Sequence, residues 1–278
     1  MSDQQVREAL WDVHQTQPLK GYIAEIWKRR HYVRNVASNE LRTRQVNSVL
    51  GNIWHILNPA LQIGIYWLVF GQLLRVDRGI DNFIAYLAVG IFVFGFTQRA
   101  TTSGASSIVN NRGLLMALPF PRAMLPVTST LTEAFATIGP VTVIYLSALL
   151  TGETPSPRWL LLPVVMLVQA TFNLGAAFVA ARLTSIIRDT TQVLPLFFRL
   201  LFYSSGLIFD PTKIEQAQDI QFLFDFNPLY CFVSLARWCI FGDDLRAHLI
   251  LIAIGWAIVM LTFGIWWFRR GEESYGRE

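Results

Sequence analysis

The sequence predicts an all-α integral membrane protein with six spanning helices, and three observations predict it. Hydrophobic residues make up 53% of the 278 and charged residues only 15%, against about 25% charged in an ordinary soluble domain. Apolar runs recur at the length of roughly 20 residues that carries a helix across a hydrocarbon core of ~30 Å. Lys and Arg fall unevenly into the segments between those runs, as they do on the two sides of a membrane. The formal net charge of +4 and pI near 9.3 then belong to loops flanking a membrane, and no nucleic acid partner is expected.

The first 21 residues lack the apolar core of a signal peptide, so the first spanning helix is expected to direct insertion. Residues 22–42 read as an amphipathic helix. At 100° per residue Lys28, His31, Asn35, Ser38, Asn39 and Arg42 form a polar strip. Tyr22, Ile23, Ile26, Trp27, Val33, Ala37 and Leu41 cover the other side. A Trp on the apolar face and basic neighbours suit a helix lying in the headgroup region.

The expected spans are 53–74, 83–106, 124–150, 159–183, 193–209 and 245–268. They divide the chain into an N-terminal region 1–52, a transmembrane domain 53–268 and a tail 269–278. An even number of spans leaves both termini on one side. That side would hold fifteen basic residues, in 1–52, in the 2–3 and 4–5 connections and in the tail; the other would hold six. The basic side is therefore expected to be cytoplasmic.

The stretch 214–241 carries an apolar half, 222–241, interrupted by Asp225, Asn227-Pro228 and Arg237. A seventh span there would upset the charge balance. Short half-membrane helices, tolerated where their broken backbone is buried in protein, fit better. On the fourth span Ala176 and Ala180, with Ala177 and Ala181, have the spacing of close helix packing.

No phosphate-binding Gly-rich loop is present, so ATP hydrolysis is not expected in this chain. Motifs for metalloprotease, nucleophile-elbow and CxxC chemistry are missing too. Cys231 and Cys239 lie eight apart in an apolar stretch and suggest neither a metal nor a disulfide. Four histidines are scattered near expected interfaces. No catalytic residue and no metal ligand is assigned.

Arg99, Glu133 and Arg199 are the ionisable groups expected inside spans, where each is costly. Counted from Arg112, Arg122 and Arg188, they lie about 16–20 Å along their helices, at similar depth. Polar stripes accompany them: Gly95, Arg99, Thr102 and Ser106; Glu133 and Thr137 with Ser129 or Thr130; Gln192, Arg199, Tyr203 and Gly206. Glu133 is expected to neutralise Arg99 or Arg199 beside a hydrated conduit. Tyr66, Phe96, Phe198, Phe202 and Tyr203 would add aromatic faces on which sugar rings stack.

Residues 39–74 carry Arg42 and Arg44, Ser48, Leu50-Gly51, Trp54 and Pro59, followed at 118–126 by LPFPRAMLP, then Arg188-Asp189 and Asn227-Pro228 with Arg237. In these landmarks, over essentially its whole length, the chain resembles the transmembrane permeases of ABC-2-type exporters. The likeness is to the polysaccharide branch that includes Wzm O-antigen and teichoic-acid exporters. Within that branch it looks like the actinobacterial permeases for the lipid-linked galactan of the cell wall. Gln45 and Val46 depart from an aromatic-basic pair common in the family.

The resemblance implies a homodimer in a bacterial plasma membrane, with two copies of a separate ATPase holding ATP and Mg²⁺, and no cofactor in this chain. A lipid-linked polysaccharide would pass outward among membrane lipids. The half-membrane helices would form an outer gate with Phe222, Phe226, Pro228 and Arg237. ATPase coupling would fall on Asn111, Arg112, Leu114, Leu115, Met116 and Leu118, and on Ser185, Arg188 and Asp189. Leu114, Leu115, Met116 and Leu118 between Gly113 and Pro119 would rarely face water together, which itself suggests a docked partner. Other readings are an ABC-2 exporter of a small lipid or drug, a membrane glycosyltransferase using Asp243-Asp244, and a structural anchor.

Overall fold

A computed structural model describes residues 19–44, 53–74, 80, 82–111, 113, 121–207, 221–242 and 246–272. Among them every regular element is helical. Two N-terminal helices, α1 (Leu19–Lys28) and α2 (Arg30–Thr43), meet at Arg29. The 22–42 helix is thus divided, and its halves have different surroundings. Val33 and Ala37 of α2 are buried against α5 (Met124–Ala136), whereas Trp27 of α1 is 69% exposed with Arg30 stacked on its ring. The second half docks on protein instead of lying wholly on headgroups.

The first span is α3 (Trp54–Tyr66), continued by a π-helical segment, Trp67–Leu73. The wider turn is visible in Leu74 N–H donating to Val69 five residues back, a distortion that is often found at functional positions. Next come α4 (Phe83–Asn110), α5 and α6 (Ile138–Leu150), then a 3₁₀ turn, Pro157–Leu161, leading into α7 (Leu162–Ile186). The third span, expected as one helix, breaks into α5 and α6 at Thr137, and Pro140 accounts for the break. Its ring denies Ala136 an amide partner and crowds that carbonyl.

The chain continues through α8 (Thr190–Ser204), α9 (Gln221–Phe226), α10 (Pro228–Phe241) and α11 (Ala247–Arg270). Among the described residues, five helical stretches are long and apolar enough to span a membrane: 56–73, 83–110, 124–150, 157–186 and 247–270. The fifth expected span is the 15-residue α8, about 22 Å long, and 208–209 fall outside the described residues. The six-span count therefore rests on α8.

Helix α4 is the axle of the bundle, touching α3, α5, α6, α7, α8 and α10. The main core gathers around it, with Leu87, Val89 and Phe92 against Ile144, Leu162, Phe232 and Ile240. A smaller core closes one end, where Phe268 meets Ile108, Ala123, Phe178 and Ala181. Arg122, Arg269 and Arg270 flank this cluster in the chain, so this is the basic end of the bundle.

The predicted alanine packing is present. Ala177 and Ala181 are fully buried, and a Cβ on Gly104 would lie 2.5 Å from that of Ala177. Helices α7 and α11 share the broadest contact, with Gly175 facing Gly264. Small side chains let helices approach closely where lipid supplies no hydrophobic drive.

Candidate functional site

Glu133 stands on α5 with a side chain 4% exposed, between two guanidiniums. Arg44, just beyond α2, donates to it at 2.8 Å. Arg99 of α4 lies 3.6 Å from its other oxygen. Glu40 completes the group, accepting from Arg44 at 3.3 Å and from Thr132 at 3.2 Å. Two carboxylates balance two guanidiniums, which allows the set to sit within the bundle. Burial pulls the Arg44 pKa down, but the hydrogen bond and charge of Glu133, aided by Glu40, outweigh it and hold the group above its usual value.

Of the two partners expected for Glu133, the structure brings only Arg99. Arg199 is exposed on α8, and no ion pair reaches it among the described residues. Sequence reading missed Arg44 and Glu40. Their i, i+4 spacing gives one shared face, but nothing local points to a partner 89 residues away.

The aromatic expectations divide. Phe96 and Phe198 are 1% and 4% exposed, so within this chain they are core, not lining. Tyr66 and Phe202 are half-buried with ring centroids 6.1 Å apart, and Phe94 meets Phe202 edge-on. Tyr203 is exposed beside Arg199, on a face of α8 that also shows Gln192 and Leu196.

Arg237 lies in the apolar α10 yet is well satisfied. It donates to Tyr86 Oη at 2.7 Å, to the Gly206 carbonyl at 3.1 Å and to the Leu207 carbonyl at 2.7 Å. Its guanidinium also stacks on the Tyr86 ring. Those carbonyls follow the end of α8, so Arg237 acts as a C-terminal cap from another helix. Gly90 leaves it room: a Cβ there would sit 2.9 Å from its Nη2.

Removing the cap strands two buried carbonyls, each worth about 1–3 kcal/mol. R237A is therefore expected to speed amide exchange in residues 201–207 by at least tenfold. Exchange unchanged from wild type would show that the cap does not hold α8.

Nearby, Asn227 caps α10 by accepting from Leu229 N–H at 3.0 Å, and Pro228 begins the helix, a favoured first position. Asp225 of α9 binds Arg246 at 2.7 Å and His248 at 3.0 Å. Trp256 of α11 donates to the Phe226 carbonyl. Phe222 and Phe226 are 69% and 65% exposed. Residues 222–241 thus belong to two short helices tied to α4, α8 and α11. The Asp225 cluster was not foreseen; Asp225 was read only as an interruption.

At the basic end Asn111 closes α4, donating to the Ser107 carbonyl at 2.8 Å. Ser185 donates to Arg182 O, and Arg188 and Asp189 are exposed between α7 and α8. Arg112, Leu114, Leu115, Met116 and Leu118 lie outside the described residues, as do Asp243 and Asp244.

A bundle of apolar helices, five of the described stretches long enough to cross a membrane, with an ion pair buried among them, defines a multi-pass membrane protein. Residues 33–241 match the family ABC-2 type transporter, and the chain belongs to that family. The O-antigen export system permease protein RfbA of Klebsiella pneumoniae is 24% identical over 231 residues, 83% of this chain and 88% of that protein. Its Myxococcus xanthus counterpart is 26% identical, covering 74% of this chain and 79% of the relative. The polysialic acid transport protein KpsM of Escherichia coli is 23% identical, over 84% and 91% respectively.

Proposed function

We propose that this chain is the permease subunit of an exporter carrying a lipid-linked polysaccharide outward across a bacterial plasma membrane. It works as a homodimer of six-span protomers with both termini cytoplasmic. Two copies of a separate ATPase, which bind the ATP and Mg²⁺, drive it. Its substrate is a galactan-like or O-antigen-like glycan. The observation that carries the reading is the breadth of the likeness: relatives named for O-antigen and polysialic acid export align along 74–84% of the chain.

The exposed face of α8 supports it. Arg199, with Gln192 and Tyr203, cannot face lipid cheaply. A hydrated path between two copies solvates Arg199, and Tyr203 with Tyr66 offers aromatic faces to sugar rings. The segment 111–118 and Ser185, Arg188 and Asp189 would meet the ATPase. Its closure is relayed through Phe268, which packs on Ile108 of α4 and on Phe178 and Ala181 of α7. Phe222, Phe226, Pro228 and Arg237 would form the outer gate.

Depleting the protein and assaying lipid-linked glycans on each membrane face tests the reading. Accumulation on the cytoplasmic face is expected. Unchanged sidedness, or accumulation of a small lipid instead, would sink it.

A further inference from the structure

A polar cleft of ≈ 520 Å³ opens at the basic end between α2, the last turns of α4 and α5. That size lies within the roughly 300–1,000 Å³ of small-molecule sites. Its walls carry Glu40, Thr43, Ser103, Ser106, Asn110 and Ser129, and Val36 is the one apolar side chain among the described lining. We propose that this cleft is a cytoplasmic subsite for neutral sugar residues of the transported glycan, holding it by hydroxyl hydrogen bonds and leaving its phosphate outside. The inference rests on the export reading and adds to it a place and a ligand chemistry.

The charge of the lining, together with its hydrogen-bonding groups, favours sugar over phosphate. Ser106 Oγ already donates to its own helix, to the Thr102 and Ser103 carbonyls at 3.2 Å each. Ser107 donates to Gly104 O at 2.7 Å and Thr43 to Glu40 O at 3.0 Å. The amide of Asn111 is likewise turned to the Ser107 carbonyl. With these donors used internally, Ser106, Ser107 and Thr43 are left as acceptors beside the acceptor-only Glu40 carboxylate, while Asn39, Asn110, Ser103 and Ser129 add neutral groups that both donate and accept.

A phosphate needs donors and positive charge, and the described lining offers no Lys or Arg. Sugar hydroxyls are donors and match the wall. Arg44 and Arg99 stand close by, but Glu133 claims both. That same ion pair fixes the mouth. Through Arg44 and Glu40 it pins α2 to α5, so the wall bearing Glu40 and Thr43 is held in register with Ser129.

The test uses the permease–ATPase complex in nanodiscs of phosphatidylethanolamine and phosphatidylglycerol, which bring no sugar of their own. Cys231 and Cys239 are buried, so a water-soluble maleimide reads a cysteine introduced by S106C. Asn110 is exposed, and N110C gives a second readout that leaves the packing alone. The probes are oligosaccharides cleaved by mild acid from the host's lipid-linked glycans, and inorganic pyrophosphate.

At ten times its dissociation constant the oligosaccharide should slow labelling about tenfold, because only free complex reacts. Pyrophosphate should leave the rate unchanged. Protection by pyrophosphate alone, or by neither probe in complexes that still hydrolyse ATP, would overturn the assignment. Failure of the export reading shows separately, as unchanged glycan sidedness on depletion.

Discussion

Glu133→Gln is expected to destabilise the folded permease by about 3 kcal/mol, the low end of the 3–5 kcal/mol that follows loss of one partner from a buried ion pair. The low end applies because Arg44 and Arg99 have side chains 39% and 40% exposed and keep part of their hydration. Glutamine preserves the shape of the side chain, so the loss reports charge. Two guanidiniums would then face each other across α4 and the end of α2 with only Glu40 to balance them.

Double-mutant cycles for thermal unfolding of the purified complex separate the partners. Coupling of E133Q with R44Q should exceed that with R99Q, since Arg44 makes the hydrogen bond at 2.8 Å and Arg99 only approaches to 3.6 Å. Strictly additive losses in both cycles would show that neither contact contributes.

Gly175→Ala should be as damaging, although it adds a single methyl group. A Cβ at Gly175 would lie 2.3 Å from the Met260 carbonyl oxygen and 2.5 Å from the Leu261 nitrogen. These are backbone atoms of α11, so no side chain can swing aside and the helices must part. Overpacking costs typically about 1–3 kcal/mol, and here the upper end or more is expected because the broadest helix contact opens. Gly255 on α11 is the control, since nothing lies within 4 Å of its Cβ position. G255A should be neutral or raise stability by about 0.5–1 kcal/mol, as replacing glycine within a helix does. Equal yields of folded G175A and G255A in membranes would refute the close approach.

Much of the architecture was legible because membrane spans announce themselves by length. The predicted ends 124–150 reappear as the outer ends of α5 and α6, and 245–268 lies two residues later as α11, Ala247–Arg270, since lipid demands apolar helix wherever it is faced. Proline chemistry was read only in part: Asn227-Pro228 was seen as an interruption and starts α10, whereas the break at Pro140 in the third span was not foreseen. The aromatic path was harder to read. Phe96, Phe198 and Tyr203 are similar by composition, yet two are buried and one is exposed. Periodicity says which residues share a helix face, not which neighbour covers that face.

By itself, then, the sequence determined the membrane class, most of the spans, the uneven placement of basic residues and the landmarks shared with ABC-2 permeases. Each depends on runs, spacings or composition, which are local properties of the chain. Only the tertiary structure decided that Glu133 takes Arg44 as well as Arg99, that Arg237 caps α8, and that Asp225 gathers Arg246 and His248. The physical reason is common to all three. Desolvating a charge within the bundle is tolerated only when its partners arrive with good geometry. Those partners lie 89, 30 and 21 residues away along the chain, brought together by packing that no local pattern encodes.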